Sequence, residues 1–189
     1  MTWLGRLTAA AAVGGGMAAG YLGLVSGALS VDVGVGRRTL PLGPQAIDVA
    51  APCEVVFDVI AQPYLGRTTR AMREKARVLE RGSDMVLAAH FTPVAGGRLT
   101  ATTVETVRFT RPERVDFRLV RGPVAAVVES FRLSGHEAGT RLVYEGEMGT
   151  DGWAPGERWG LVVGRRWEAT VAASLSTIKA EAERRAARP

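Results

Sequence analysis

The spacing of apolar residues changes along the chain, and the changes mark its elements. Near the carboxyl end Trp159, Val163, Trp167, Val171, Leu175, Ile178 and Ala182 recur at three- and four-residue steps. That spacing is one face of a helix. Arg165, Arg166, Glu168, Lys179 and Glu181 fall between them and seek water. One long amphipathic helix is predicted over 157–185. Upstream the period is two. Alternation predicts strands over 45–50, 76–80, 84–92, 98–110, from 115, over 126–133 and over 140–149. Met85, Leu87, Ala89 and Phe91 share one strand face, as do Leu142, Tyr144 and Met148. Pro93–Gly97, Arg111–Arg114, Gly122-Pro123 and Ser134–Gly139 read as turns. Between the first two strands, Pro52 suits the first turn of a short helix that carries Glu54 and runs to Gln62-Pro63. A second short helix is expected over 67–73. Strands joined by short turns are antiparallel neighbours. The order predicts an α+β domain, a curved antiparallel sheet of six or seven strands around a long carboxyl-terminal helix. A long helix with one apolar stripe needs a sheet to lie on, and a bent sheet leaves a cavity against it.

The amino-terminal pattern is different. No charged residue occurs from Leu7 to Val31, a length that can cross about 30 Å of hydrocarbon as a helix. Residues 1–31 are read as a single-pass transmembrane helix, with a cleaved signal peptide and a soluble tail as the competing readings. Gly16 and Gly20, and Gly23 and Gly27, are each four apart, a spacing that lets two membrane helices approach. A homodimer and a membrane-protein partner therefore stay open. Arg37 and Arg38 after the segment outnumber Arg6 before it, which favours a cytoplasmic domain. Gly34, Gly36, Gly43, Pro41 and Pro44 make 32–44 a linker. The folded domain is placed at 45–185.

The phrase Ile47-Asp48-Val49-Ala50-Ala51-Pro52, followed by Glu54-Val55-Val56-Phe57-Asp58-Val59-Ile60, resembles the opening of the helix-grip superfamily (SRPBCC, START-like). Within it the wording is similar to the polyketide cyclase/dehydrase-like branch. Trp167-Glu168 and the Leu175–Ile178 stretch resemble its usual end. The resemblance implies a helix-grip fold around a ligand cavity, with the entrance near Tyr64-Leu65-Gly66. Members of the superfamily carry lipids, bind hormones, chaperone polyketides or cyclise them, and no shared catalytic signature carries over.

Composition adds limits. The apolar fraction is 47% and the aromatic fraction 6%, so Val, Leu and Ala build the core. Basic residues number 24 against 19 acidic, a net charge of +5. This mild excess comes without zinc-finger spacing, aromatic–basic interleaving or a helix-turn-helix signal, and no nucleic-acid partner is expected. Cys53 is the only cysteine, which excludes an intrachain disulfide and reads as a buried thiol. His90 reads as a strand-surface residue and His136 as a turn residue, so no metal site is expected, nor any cofactor. Arg67, Arg70, Arg73, Lys75, Arg77 and Arg81 form a basic run suited to anionic headgroups or to plain solvation.

The candidate chemistry lies on the strands. Glu129 shares parity with Val127, Phe131 and Leu133, so it can place a carboxylate in the cavity and hold or move a proton there. Glu105 and Tyr144 are the other acid–base candidates. A cross-strand pairing of Glu129 with Arg118 or Arg132, and a purely structural Tyr144, are the alternatives. The ligand-lining candidates are Phe57, Tyr64, Leu87, Phe91, Phe117, Leu119 and Phe131. Tyr144, Val163, Trp167 and Val171 complete them. The leading functional expectation is a membrane-tethered protein that binds a hydrophobic small molecule or lipid. A cyclase/dehydrase- or aromatase-like enzyme and an accessory subunit of a membrane complex are the alternatives.

Overall fold

The structure, a computed structural model, describes residues 19–66 and 70–188. Seven antiparallel strands form one curved sheet: β1 (Arg38–Val49), β2 (Ala76–Arg81), β3 (Met85–Val94), β4 (Leu99–Thr110), β5 (Arg114–Arg121), β6 (Ala126–His136) and β7 (Gly139–Thr150). Their order is β1-β7-β6-β5-β4-β3-β2. Only the first connection is long, and it carries α1 (Cys53–Leu65) and α2 (Arg70–Lys75). α3 (Trp153–Ala186) closes the described chain. At about 1.5 Å per residue, its 34 residues span the sheet from one end to the other. The helix-grip fold expected from the pattern is the one observed.

The inward side of α3 is the predicted stripe. Val171, Leu175 and Ala182 are buried, and Trp159, Val163, Trp167 and Ile178 pack against the core cluster. Gly160 and Gly164 are buried with them, because β7 and β1 come close there. A Cβ on Gly160 would meet Thr150 at 3.1 Å, and one on Gly164 would meet Leu40 at 2.9 Å. The slim first turns are therefore filled by the sheet. At the other end Ala50 N–H donates to Glu183 (3.0 Å) and Lys179 donates to the Asp48 carbonyl. Both contacts pin the last turns of α3 to the end of β1.

Several element boundaries move: α3 begins at Trp153 rather than 157, and β6 continues to His136 rather than ending at 133. Residues 38–44, read as linker, belong to β1. This strand is an edge of the sheet, where proline is tolerated because one side needs no ladder hydrogen bond. The register shifts between Leu42 and Gln45 absorb Gly43-Pro44, and Glu168 accepts the Gly43 N–H at 2.5 Å. The first short helix continues through Pro63 to Leu65. The second, expected over 67–73, is described over Arg70–Lys75 and so runs two residues further than expected; residues 67–69 lie outside the described residues.

Residues 32–37 are clasped rather than free. Asp151 Oδ2 accepts the N–H groups of Val33 (2.7 Å) and Gly34 (2.8 Å), and its Oδ1 accepts from Arg37 (2.8 Å). Leu7–Ala18 of the expected membrane segment lie outside the described residues. Residues 19–25 are helical. Among the described residues no helix is long and apolar enough to cross a membrane.

Candidate functional site

The inner face of the sheet carries two polar clusters set in aromatic packing. The first centres on Glu129. Its strand parity turns it inward with Val127, Phe131 and Leu133, and it is 8% exposed. Tyr144 on β7 donates its O–H to Glu129 Oε2 at 2.7 Å. Trp167 on α3 donates its Nε1–H to the same oxygen at 2.7 Å. One carboxylate oxygen thus joins β6, β7 and α3. Burial, then the nearby Glu105 carboxylate, raises the Glu129 carboxyl to about 7, against the opposing pull of the two donors and His90. Burial and the Glu129 charge push the Tyr144 phenol well above its ordinary value, so it remains a donor.

The second cluster centres on His90 of β3. Its Nε2 lies 2.8 Å from Tyr64 Oη, and its Nδ1 lies 3.2 Å from Glu105 Oε2. The Nδ1 contact is within ion-pair reach but off-line for a well-formed hydrogen bond, which leaves Nδ1 otherwise unpartnered. Thr103 donates to Glu105 Oε1 at 2.7 Å. Burial lowers the His90 pKa, but the Glu105 charge and contact outweigh it and hold the imidazole above its usual value. Burial raises the Glu105 carboxyl, and the His90 charge with the His90 and Thr103 contacts bring it below the usual range. Both directions favour an imidazolium beside a carboxylate.

Aromatic rings bridge the clusters. Tyr64 and Phe117 meet with centroids 6.0 Å apart, Phe117 and Phe131 at 5.7 Å, and Phe131 and Tyr144 at 5.5 Å. Side chains fill the space between sheet and α3 in this conformation. A small cleft of about 40 Å³ lies to one side, between Arg38, Leu40, Met148, Thr150, Gly160 and Leu161. That is near the volume one water occupies.

Most of the predicted lining residues share this interior. Phe57, Tyr64, Phe117, Leu119, Phe131, Tyr144 and Val171 are buried, and Val163 and Trp167 are half-buried. Glu105 and Glu129 both point inward. Leu87 and Phe91 do not belong to the group. Val86 and Ala88 pair with Val107 and Glu105 across to β4, and His90 pairs with Thr103, so these residues take the inner face. Leu87 and Phe91 fall on the outer face, where the Arg77 guanidinium lies 5.9 Å from the Phe91 ring centroid. Their intermediate burial there had no sequence signature distinct from core. The correction also moves His90 from the strand surface to the middle of the second cluster. Its partners come from α1 and β4, so no local spacing announces it. The only sequence clue was that Glu105 and Thr103 share a parity that needs an inward donor. Neither Arg118 nor Arg132 pairs with Glu129; Arg132 meets Glu145 on the outer face.

Gly146 on β7 stands opposite Glu129. A Cβ there would lie 2.6 Å from the Val128 carbonyl oxygen and 2.7 Å from Glu129 Cβ. Gly146→Ala should therefore part β6 from β7 at the site and cost about 2 kcal/mol, the usual range for overpacking. Urea denaturation checks this, and an unchanged midpoint would show that the strands yield freely.

No curated protein matches the chain. Among solved structures, it is similar to the ZhuI aromatase/cyclase from Streptomyces, at 20% identity and a TM-score of 0.61, over 79% of this chain and 95% of that one. It is similar to StfQ, a di-domain aromatase/cyclase of the steffimycin pathway, at 14% identity and a TM-score of 0.62, over 80% of this chain and 53% of that one. A protein from Thermus thermophilus matches at 14% identity and a TM-score of 0.58, over 77% of this chain and 97% of that one. At these identities the likeness is one of fold. The family model described as polyketide cyclase / dehydrase and lipid transport matches residues 44–183, which is most of the chain and takes in every element from the end of β1 to the last turns of α3. The chain belongs to the polyketide cyclase/dehydrase and lipid transport family.

Proposed function

We propose that this protein binds a hydrophobic small molecule or lipid between the inner face of the sheet and α3, and that residues 7–31 tether it to a membrane. The polar end of the ligand meets Glu129, Tyr144 and Trp167, and its apolar body lies along Phe117 and Phe131. The observation that carries this reading is the burial of Glu129 with two donors on a single oxygen. A carboxylate in an apolar interior costs stability, and groups shifted this way gather at functional sites. The interior is filled, so a ligand enters by displacing side chains. Trp167 and the slim first half of α3 are the part that moves in this reading. The likenesses to aromatase/cyclases support a cyclic or polyketide-like apolar body.

The test is native mass spectrometry of the full-length chain released from membranes in mild detergent. A co-purifying apolar molecule is the expected result, and its loss in Phe131→Trp, which fills the space further, would locate it. Protein that emerges without a ligand and fails to take up any fluorescent apolar probe would refute the binding reading. A reporter fused at the carboxyl end tests the cytoplasmic placement, which a periplasmic or extracellular signal would overturn.

One observation favours a second reading, proton-transfer catalysis of the cyclase/dehydrase kind. Glu129 near neutrality can take a proton, and the His90–Glu105 pair across the rings can give one. In that case Glu129→Gln removes turnover while leaving binding in place. If both disappear together, Glu129 acts in binding alone.

A further inference from the structure

The first turns of α3 are apolar on two sides. The inward side packs on the sheet. The outward side presents Arg158, Leu161, Val162, Arg165 and Ala169 at three- and four-residue steps, all exposed. Val162 is 57% exposed and Trp153, at the helix start, is 58% exposed. The Trp153 backbone N–H donates to the Gly36 carbonyl at 2.9 Å, which holds the helix start in place. Among the described residues nothing covers this strip, and Arg158 and Arg165 make no ion pair. A surface helix ordinarily turns a polar face to water. An exposed apolar strip between guanidiniums marks an interaction surface.

A second observation identifies what covers it. The described part of the uncharged stretch, residues 19–31, reaches the domain at this same end. The Tyr21 ring meets Trp159 edge-on at 6.0 Å, one helical turn from Val162. Arg121 donates to the Gly27 carbonyl, which sets the chain against β4 and β5. Leu29, Val31, Val33 and Val35 then continue as exposed apolar residues as far as the Asp151 clasp. Among the acidic residues at this end are Asp32, Asp151 and Glu157, and both Asp32 and Asp151 are already paired with Arg37.

We propose that this end of the domain, centred on the outward strip of α3, rests on the surface of an anionic bilayer. The proposal rests on the tethered reading above and adds the face and the charge of the lipid. Trp153 takes the boundary position that indole rings favour between headgroup and acyl chain. Leu161 and Val162 enter the headgroup zone, and Arg158 and Arg165 meet lipid phosphates. The proposal sets this surface in place of the basic run Arg67 to Arg81, of which Arg77 covers Phe91 and Arg81 donates to the Tyr64 carbonyl.

The test uses the full chain with Cys53→Ser and one introduced cysteine carrying a fluorophore, reconstituted in phosphatidylcholine vesicles with or without phosphatidylglycerol. Val162→Cys reports the strip, and Glu137→Cys reports the β6–β7 turn at the opposite end of the sheet. In the anionic vesicles, nitroxide-labelled lipid should quench the label at 162 about fivefold more than at 137. Arg158→Glu with Arg165→Glu, or high salt, should remove that difference. Equal weak quenching at both positions, with the protein still floating with vesicles, overturns the docking face and leaves the tether. Quenching at 162 by a nitroxide-labelled second copy instead of by lipid also overturns it, in favour of a dimer. Flotation with anionic vesicles alone, abolished by the two Arg→Glu changes, upholds the face and overturns the tether. No flotation with either vesicle overturns both.

Discussion

Glu129→Gln should make the protein about 3 kcal/mol more stable at pH 8 and about 1 kcal/mol less stable at pH 4. The sign follows from the raised carboxyl. An unfolded glutamate titrates at about 4.3, whereas burial and the Glu105 charge bring Glu129 to about 7 in the folded chain. Between those values the folded state holds a proton that the unfolded state has released. Stability contributed by this group is therefore full below the unfolded pKa and falls as pH rises through the window, by about 1.4 kcal/mol per unit. The loss is complete above about pH 7, at about 4 kcal/mol on this order-of-magnitude reckoning. Glutamine does not titrate, and its carbonyl still accepts from Tyr144 and Trp167. Its NH₂ needs partners that the site was not built to give, which costs about 1 kcal/mol at every pH.

The other buried pair must be separated from Glu129, because Glu105 acts with the opposite sign and His90 with the same sign. Glu105 is lowered, so its contribution is present above the unfolded carboxylate pKa and is lost as pH falls through the folded one. His90 is raised, so its contribution is present below the ordinary histidine pKa and is lost as pH rises through the folded value. Both are common to the wild type and to Glu129→Gln. The difference between the two denaturation curves at pH 4, 6 and 8 cancels most of that background. A difference that stays flat with pH would mean that Glu129 titrates alike in the folded and unfolded chains, and both proposed readings of the site would lose their central residue.

Parity in the sequence placed Glu129 correctly because β6 has one apolar face: Val127, Phe131 and Leu133 are inward, and Glu129 shares their spacing. Trp167 was legible for the same reason, since α3 has one dominant stripe. β3 defeated the same reasoning. Both its faces are apolar, and the outer set of Leu87, Ala89 and Phe91 is the bulkier. Parity then selects the wrong face, and His90 goes with it. Nothing within ten residues of His90 reveals Tyr64 or Glu105, because the three meet only through sheet register and the packing of α1. β1 was shortened in the sequence reading because Gly43 and Pro44 signal a break. The break is a register shift in an edge strand that continues beyond it. The filled interior was also beyond the pattern, which gives the faces of elements but not the distance between them. Gly160 and Gly164 close that distance by admitting Thr150 and Leu40.

Trp167→Ala should cost about 3 kcal/mol, the lower end of the range for removing a large aromatic from a core, since the indole is half-buried. It should also lose the co-purifying ligand by tenfold or more, about 1.4 kcal/mol in binding. Three effects add. The cavity left under α3 loses its packing against the core cluster. Glu129 Oε2 keeps only Tyr144 as a donor, so its carboxyl rises above about 7. The one side chain that joins α3 to the polar floor is gone, and the helix loses its registration over the ligand. Trp167→Phe separates packing from hydrogen bonding. It keeps most of the ring and removes the Nε1–H, and a lost donor to a charged acceptor costs about 2 kcal/mol. If the indole N–H positions the carboxylate for the ligand's polar end, Trp167→Phe loses ligand nearly as far as Trp167→Ala while losing less stability. If the ring only fills space, Trp167→Phe retains ligand. Urea denaturation and native mass spectrometry on the three proteins read both quantities. Wild-type ligand occupancy in Trp167→Ala would place the ligand away from α3, and the reading of this helix as the wall of the site would fail.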